Sequence, residues 1–349
     1  MHQPNYKKII TGSLSFLALA VITWFFISHE YSRQELLSAW NQANPLFLLP
    51  AALFMVIFIL CEGANIGRGL SLFGYDITFI QKTKYALTGF FFSSITPSAS
   101  GGQPMQVYAM YKDGISPSHA SLSLVIELAG FQVISTLAAV LGLCLEYSKT
   151  LQSAGPAIYL FFIGIAVNFA LLLLLLAAIF SKSVLKKLID IVLWIVNKLF
   201  PKKYENWKKK ILRYGAEYSK SAMYFKQSPK VMLQILGTAA VQLLSFYSIP
   251  YFVYLSLGLH GITWLHITAI QAILYVSVSA LPLPGAVGVT EGGFALLFQN
   301  VFPPAFMGCA MILSRLISFY FAVVLSGIAV LWSGTFKKNS IRINRNKAM

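Results

Sequence analysis

The sequence predicts an all-α, polytopic membrane helix bundle with about six full spans and two broken, re-entrant helix pairs, arranged as an inverted repeat. Three observations predict it. Only 11% of the residues are charged and 57% are hydrophobic, far from the roughly 25% charged content of a soluble domain. Several apolar runs reach the length of roughly 20 residues that a helix needs to cross a hydrocarbon layer about 30 Å thick. The formal net charge is +16, and its basic residues gather at the N-terminus, in one central segment and at the C-terminus. That is the pattern of loops facing an anionic leaflet. No recognised nucleic-acid module accompanies the charge, so nucleic acid is not an expected partner.

Candidate full spans are residues 9–27, 45–61, 119–145, 155–180, 231–257 and 304–332. The first follows Lys7 and Lys8, is longer than a signal-peptide core and lacks an A-x-A cleavage site, so it reads as a retained span. An even number of spans returns the chain to its starting side. Lys7 and Lys8 at one end, and Lys337, Lys338, Arg342, Arg345 and Lys347 at the other, make that side cytoplasmic. The expected location is the cell membrane.

Two further apolar regions are interrupted. Residues 85–111 contain Thr96, Pro97, Ser98, Ala99, Ser100, Gly101 and Gly102, and residues 266–301 contain Pro282, Pro284, Gly285 and Gly288. Proline removes a helical hydrogen bond, and glycine opens backbone shapes closed to other residues. Irregular backbone survives in lipid only where protein or a wet cavity satisfies it. Arg68, Lys82, Lys84 and Lys112 flank the first break, whereas residues 258–263 and 302–304 beside the second carry no Lys or Arg. The first hairpin is therefore expected to enter from the cytoplasm and the second from outside. Residues 29–44 and 146–154, with one basic residue each (Arg33 and Lys149), read as external loops.

Each half then has the same order of two spans, a broken hairpin and a span, inverted in the membrane. Pro97 and Gly101 stand 187 residues before Pro284 and Gly288, a common offset. The expected organisation is a first repeat at 1–150, a second at 151–335 and a basic tail at 336–349. Within the second repeat, residues 181–230 carry thirteen basic residues against Asp190, Glu205 and Glu217. This connector is expected in the cytoplasm. Trp207, Ile211, Tyr214 and Tyr218 recur there at helical spacing, which suits either an interfacial amphipathic helix or a solvated basic connector.

No catalytic signature, cofactor motif or metal-ligand spacing is visible, and Cys61, Cys144 and Cys309 read as small core residues. No catalytic residues, metal or cofactor are therefore expected. Ionisable residues at membrane depth stand out instead, because a charge there costs several kcal/mol and usually faces a partner or a cavity. Glu62 and Arg68 lie at a span end and read as snorkelling interfacial groups. Glu127 and Arg315 lie inside spans, and Glu291 follows the second break. For Glu127 and Arg315 two readings stay open, an ion pair that holds the fold or a headgroup or proton site. Ser100, Gln103 and Thr96 add polar groups at the first break, where free helix ends suit an anionic phosphate.

At these residues the chain resembles a known family. Thr96-Pro97 through Gly101-Gly102-Gln103-Pro104, Ile126-Glu127, the run from Pro284 through Gly285 and Gly288 to Glu291, and the later Arg315 are similar to motifs of the lysylphosphatidylglycerol synthase transmembrane-region family. That family is similar to the flippase half of the multiple peptide resistance factor. Gly-Gly-Gln-Pro departs from the Gly-Gly followed by an acid or base expected there, and Ile-Glu-Leu from Glu-Arg.

The resemblance implies translocation or handling of an anionic membrane phospholipid by a flippase-like protein. Its site would hold Thr96, Pro97, Ser100, Gly101, Gly102, Gln103, Glu127, Pro284, Gly285, Gly288, Glu291 and Arg315. The alternative it implies is a membrane component of lysyl-phosphatidylglycerol synthesis that supports resistance to cationic peptides, with a homo-oligomer or a separate synthase as partner. The chain ends 17 residues after Trp332, without room for the soluble transferase domain, so intrinsic transferase activity is not expected.

Overall fold

The computed structural model describes residues 33–96, 99–154, 158–199, 201–279 and 288–332, and every regular element among them is a helix. The expected first span at 9–27, Pro97, Pro284, Gly285 and the basic tail lie outside the described residues. The helices are α1 (Arg33–Gln42), α2 (Pro45–Ser71), α3 (Phe79–Ser94), α4 (Gly102–Lys112), α5 (Pro117–Ala154), α6 (Ile158–Phe180) and α7 (Lys182–Leu199). They continue with α8 (Tyr204–Lys226), α9 (Pro229–Tyr247), α10 (Ile249–Ser256), α11 (Trp264–Ser279), α12 (Val289–Leu297), α13 (Pro304–Arg315) and α14 (Ala322–Trp332). Five stretches are long and apolar enough to cross a membrane: Pro45–Ser71, Pro117–Leu145, Phe161–Phe180, Pro229–Ser256 and Pro304–Val330. They coincide with five of the six expected spans.

Local chemistry explains the boundaries. Asn44 caps α2 by accepting from the Leu46 N–H at 2.9 Å, and Pro45 occupies the first turn, where its missing N–H costs nothing. Thr78 and Gln81 form a reciprocal capping box that starts α3. Along α2, Ala51, Met55, Ile59, Ile66 and Leu70 recur at turns of the helix and are fully buried.

Packing between the halves is reciprocal. Helix α5 lies along α11, α14 lies along α3, and α2 lies along α9 and α10. The last pair is antiparallel. The Asn44 N–H donates to the Ser256 carbonyl at 2.7 Å, Phe54 meets Phe252 and Phe58 meets Phe246 at ring distances of 5.0 and 5.3 Å, and the Asn65 amide donates to the Ile235 carbonyl at 3.3 Å. Numbers rise along one helix as they fall along the other. One apolar core gathers Met55, Ile59, Val253, Leu274, Phe294 and Phe298, and a second gathers Ile66, Tyr85, Met110, Leu122, Ile126 and Ile235.

The structure corrects several expectations. Helix α2 continues ten residues past Cys61 to Ser71, because the residues beyond Cys61 pack against α3, α5 and α9 instead of ending in water. Residues 29–44 include the helix α1, which packs on α13, and residues 146–154 belong to α5. The span expected over 231–257 is present and is interrupted at Ser248 only by a kink, since Pro250 has no N–H to continue the ladder. Cys144 is exposed, not a core residue. The connector folds as two helices, α7 and α8, and the expected stripe on α8 ends in Tyr218, buried in the second core among residues of α5 and α6.

Candidate functional site

The site is built where three helix irregularities meet. Gly288 adopts φ +86°, a conformation that a side chain disfavours, and this turn starts α12. Glu291, three residues later, turns back so that its Oε2 accepts the Gly288 N–H at 2.6 Å. Its Oε1 accepts from Arg315 Nε at 2.7 Å, and the two side chains are 2% and 11% exposed. Arg315 ends α13, and a π-helical turn, Leu316–Phe321, follows directly. Such turns are found mostly as single wide turns, often at functional sites. The third irregularity is the Ser248 break, where the Ser248 hydroxyl donates to the Leu244 carbonyl and accepts from the Trp264 indole, both at 2.7 Å.

Residues from all three irregularities line one small pocket, part of it open to the surroundings. Its walls include Phe246, Pro250, Leu274 and Phe294, and its polar groups are Glu291, Arg315, Thr290, Gln271, Ser314 and Ser318. Two of these point to an occupant. Gln271 Oε1 and the Ser314 hydroxyl are enclosed and have no hydrogen-bond partner among the described residues, which a buried polar group rarely tolerates without a ligand or water.

The structure separates the residues that the sequence had grouped. Gly288, Glu291 and Arg315 belong to the pocket or its edge. At the first break, the Thr96 hydroxyl donates to the Phe92 carbonyl at 2.6 Å and accepts the Gly101 N–H at 2.9 Å, so it closes the end of α3. Gly102 is buried where a Cβ would strike Ser93 Oγ and come within 2.9 Å of the Gly89 carbonyl oxygen. Ser100 and Gln103 are exposed. None of these first-break residues lines the pocket among the described residues.

Glu127 is 8% exposed and lies opposite Glu62, not beside Arg315. Glu62 is not a snorkelling group, since the Gln106 amide donates to its Oε1 at 2.8 Å between helices. Arg68 is likewise held inside, donating to Asn65 Oδ1 at 2.7 Å and to Thr238 Oγ1. Gln242 and Gln271 were missed by sequence reasoning, whereas Gln106 was read as a polar group of the first broken region and not as a partner of Glu62. The signal that could have found them is an amide in the middle of an apolar run.

Fold and site together define a multi-pass membrane protein whose interrupted helices line a pocket with a few polar groups among apolar walls. The chain belongs to the family described as the lysylphosphatidylglycerol synthase TM region, which it matches over residues 11–326. The resemblance read in the motifs is thus borne out across nearly the whole chain. Similar proteins include a UPF0104 membrane protein of Archaeoglobus fulgidus, 27% identical over 330 residues that cover 90% of this chain and 96% of that one. A UPF0104 membrane protein of Pyrococcus horikoshii is 23% identical over 336 residues, covering 94% and 96%.

Proposed function

We propose that this protein handles a membrane phospholipid and moves its headgroup between leaflets in the manner of a flippase. The observation that carries the reading is the pocket, in which the Glu291–Arg315 pair and the two unpartnered groups of Gln271 and Ser314 stand among apolar walls. Apolar walls suit acyl chains, and the polar groups suit a phosphate or hydroxyl-bearing headgroup. The reciprocal packing of the two halves supports an inverted repeat, the architecture that exposes a midplane site to each side in turn. In this reading the protein lies in the cell membrane, its termini and the connector at 181–230 are cytoplasmic, and the lipid is anionic.

A second reading follows from the family description, which names a synthase of lysylphosphatidylglycerol. The protein would then serve that synthesis, and resistance to cationic peptides, beside a separate synthase. Lipid analysis of cells with and without the gene, split by leaflet, separates the two: changed sidedness marks translocation, and changed lysyl-lipid content marks synthesis.

The direct test removes the unpartnered groups. Truncating them leaves no new orphan in the protein, so Gln271→Leu combined with Ser314→Ala is expected to fold at normal abundance. It should slow lipid movement in a leaflet-accessibility assay on reconstituted vesicles. Undiminished movement would remove the pocket from the mechanism.

A further inference from the structure

Away from the pocket, two carboxyl groups face each other inside the bundle. Their opposition follows from helix register. The Ser123 hydroxyl of α5 donates to the Ile66 carbonyl of α2 at 2.8 Å, and the Phe58 and Phe131 rings meet at 6.3 Å. These contacts lie one turn to either side of Glu62 and Glu127, which places the two acids opposite one another.

Among the described residues, the hydrogen-bond partners around the pair are neutral. From α4, Gln106 gives its amide N–H to Glu62 and to the Tyr85 carbonyl at 2.8 and 3.2 Å. Helix α3 contributes that carbonyl, while the Tyr85 hydroxyl and Lys84 are engaged with Asp113 at 2.7 and 2.6 Å. From α9 come Tyr247, whose hydroxyl meets Ser135 at 3.3 Å, and Gln242. Of the nearby cations, Arg68 binds Asn65 and Thr238, and the Lys82 stem of α3 runs along Gly67.

Gln242 supplies a second, independent observation. It is 1% exposed, and its Oε1 accepts from nothing among the described residues. The contacts of Phe58 with Phe246 and of Asn65 with Ile235 bracket it opposite Glu62 across the α2–α9 interface. An enclosed acceptor beside two carboxyls asks for a donor, and a protonated carboxyl is one. A metal cation fits less well, because the Gln106 N–H is already aimed at Glu62 and would repel it.

We propose that Glu62 and Glu127 share a proton and form a proton-binding site at the centre of the bundle, with Gln106 and Gln242 as its neutral hydrogen-bonding walls. The site stands one ring away from the pocket. Phe246 lines that pocket and packs on Tyr275 at 5.7 Å and on Phe58 at 5.3 Å.

The test is infrared spectroscopy of the full chain in phospholipid nanodiscs, which does not depend on the reading of the pocket. The wild type is expected to show the carbonyl stretch of a protonated carboxylic acid at neutral pH, shifting in heavy water. The double variant Glu62→Gln, Glu127→Gln should lose that band while eluting as folded protein. Absence of the band in the wild type, its survival in the double variant, or its loss on adding sodium chloride but not choline chloride would each overturn the proposal. Should the double variant fail to accumulate, Glu127→Gln alone decides. A titration midpoint changed from wild type supports a shared proton, and an unchanged one refutes it.

Discussion

At the residue scale, Glu291 makes two bonds that a neutral side chain cannot both replace. One oxygen holds Arg315, and the other caps α12 at Gly288. Removing the charge takes the carboxylate away from a mostly buried guanidinium, and breaking such a pair from one side costs about 3–5 kcal/mol. Glu291→Gln is therefore expected to lower the thermal midpoint of the solubilised protein, as read by fluorescence-detected size exclusion. Adding Arg315→Leu should recover part of the loss, because neither partner is then left alone. A midpoint equal to wild type would mean that the pair does not hold the fold. Glu291 and Arg315 were legible in the sequence because a charge inside an apolar run is costly and conspicuous. Glu62 was misread, since the continuation of α2 to Ser71 depends on tertiary packing that no local pattern reports. The neutral amides Gln106, Gln242 and Gln271 carry no charge signal, so only the structure brings them to the sites.

At the element scale, the breaks decide the architecture, and they differ in how far sequence shows them. The glycine at 288 and the proline at 97 announced broken pairs, while Pro250 hid in a continuous apolar run and the π turn at Leu316–Phe321 has no marker of its own. The end of α11 before the second break is tied down by Asn168 of α6, an isolated amide in a helix otherwise apolar for 23 residues. Its Nδ2 donates to the Val276 carbonyl at 3.2 Å and Ser279 Oγ at 3.1 Å, and its Oδ1 accepts from Gln132 at 2.7 Å. Hydrogen bonds between membrane helices average about 0.6 kcal/mol and reach about 1.7. Asn168→Leu is thus expected to cost roughly 1–2 kcal/mol, with hydrogen exchange rising first near Val276 and Ser279. Exchange unchanged there would show that α11 is held by its apolar contacts alone. The connector gives a second check at this scale. A cysteine placed at Lys209 should react with an impermeant reagent only from the cytoplasmic side, because a segment so rich in lysine resists translocation.

At the scale of the whole molecule, the two halves clasp each other, with α5 of the first on α11 of the second and α14 of the second on α3 of the first. The pocket lies among α9 to α13 and the π turn, the Glu62 and Glu127 pair lies where α2 meets α5 and α9, and Phe246 touches both environments. If occupation of one site changes how that ring is held, the other site responds, and by linkage the effect is reciprocal. The magnitude can be stated in advance. A difference of one pH unit across a membrane is worth about 1.4 kcal/mol per proton, a tenfold bias in an equilibrium. In vesicles holding the wild type, a one-unit gradient should shift the steady-state leaflet ratio of the moved lipid by up to about tenfold for one proton per lipid. The variant Glu62→Gln, Glu127→Gln should let the ratio return to its value without a gradient, whatever its rate. A wild-type ratio indifferent to the gradient, measured alongside undiminished lipid movement, would separate the proton site from transport and leave the pocket to work alone.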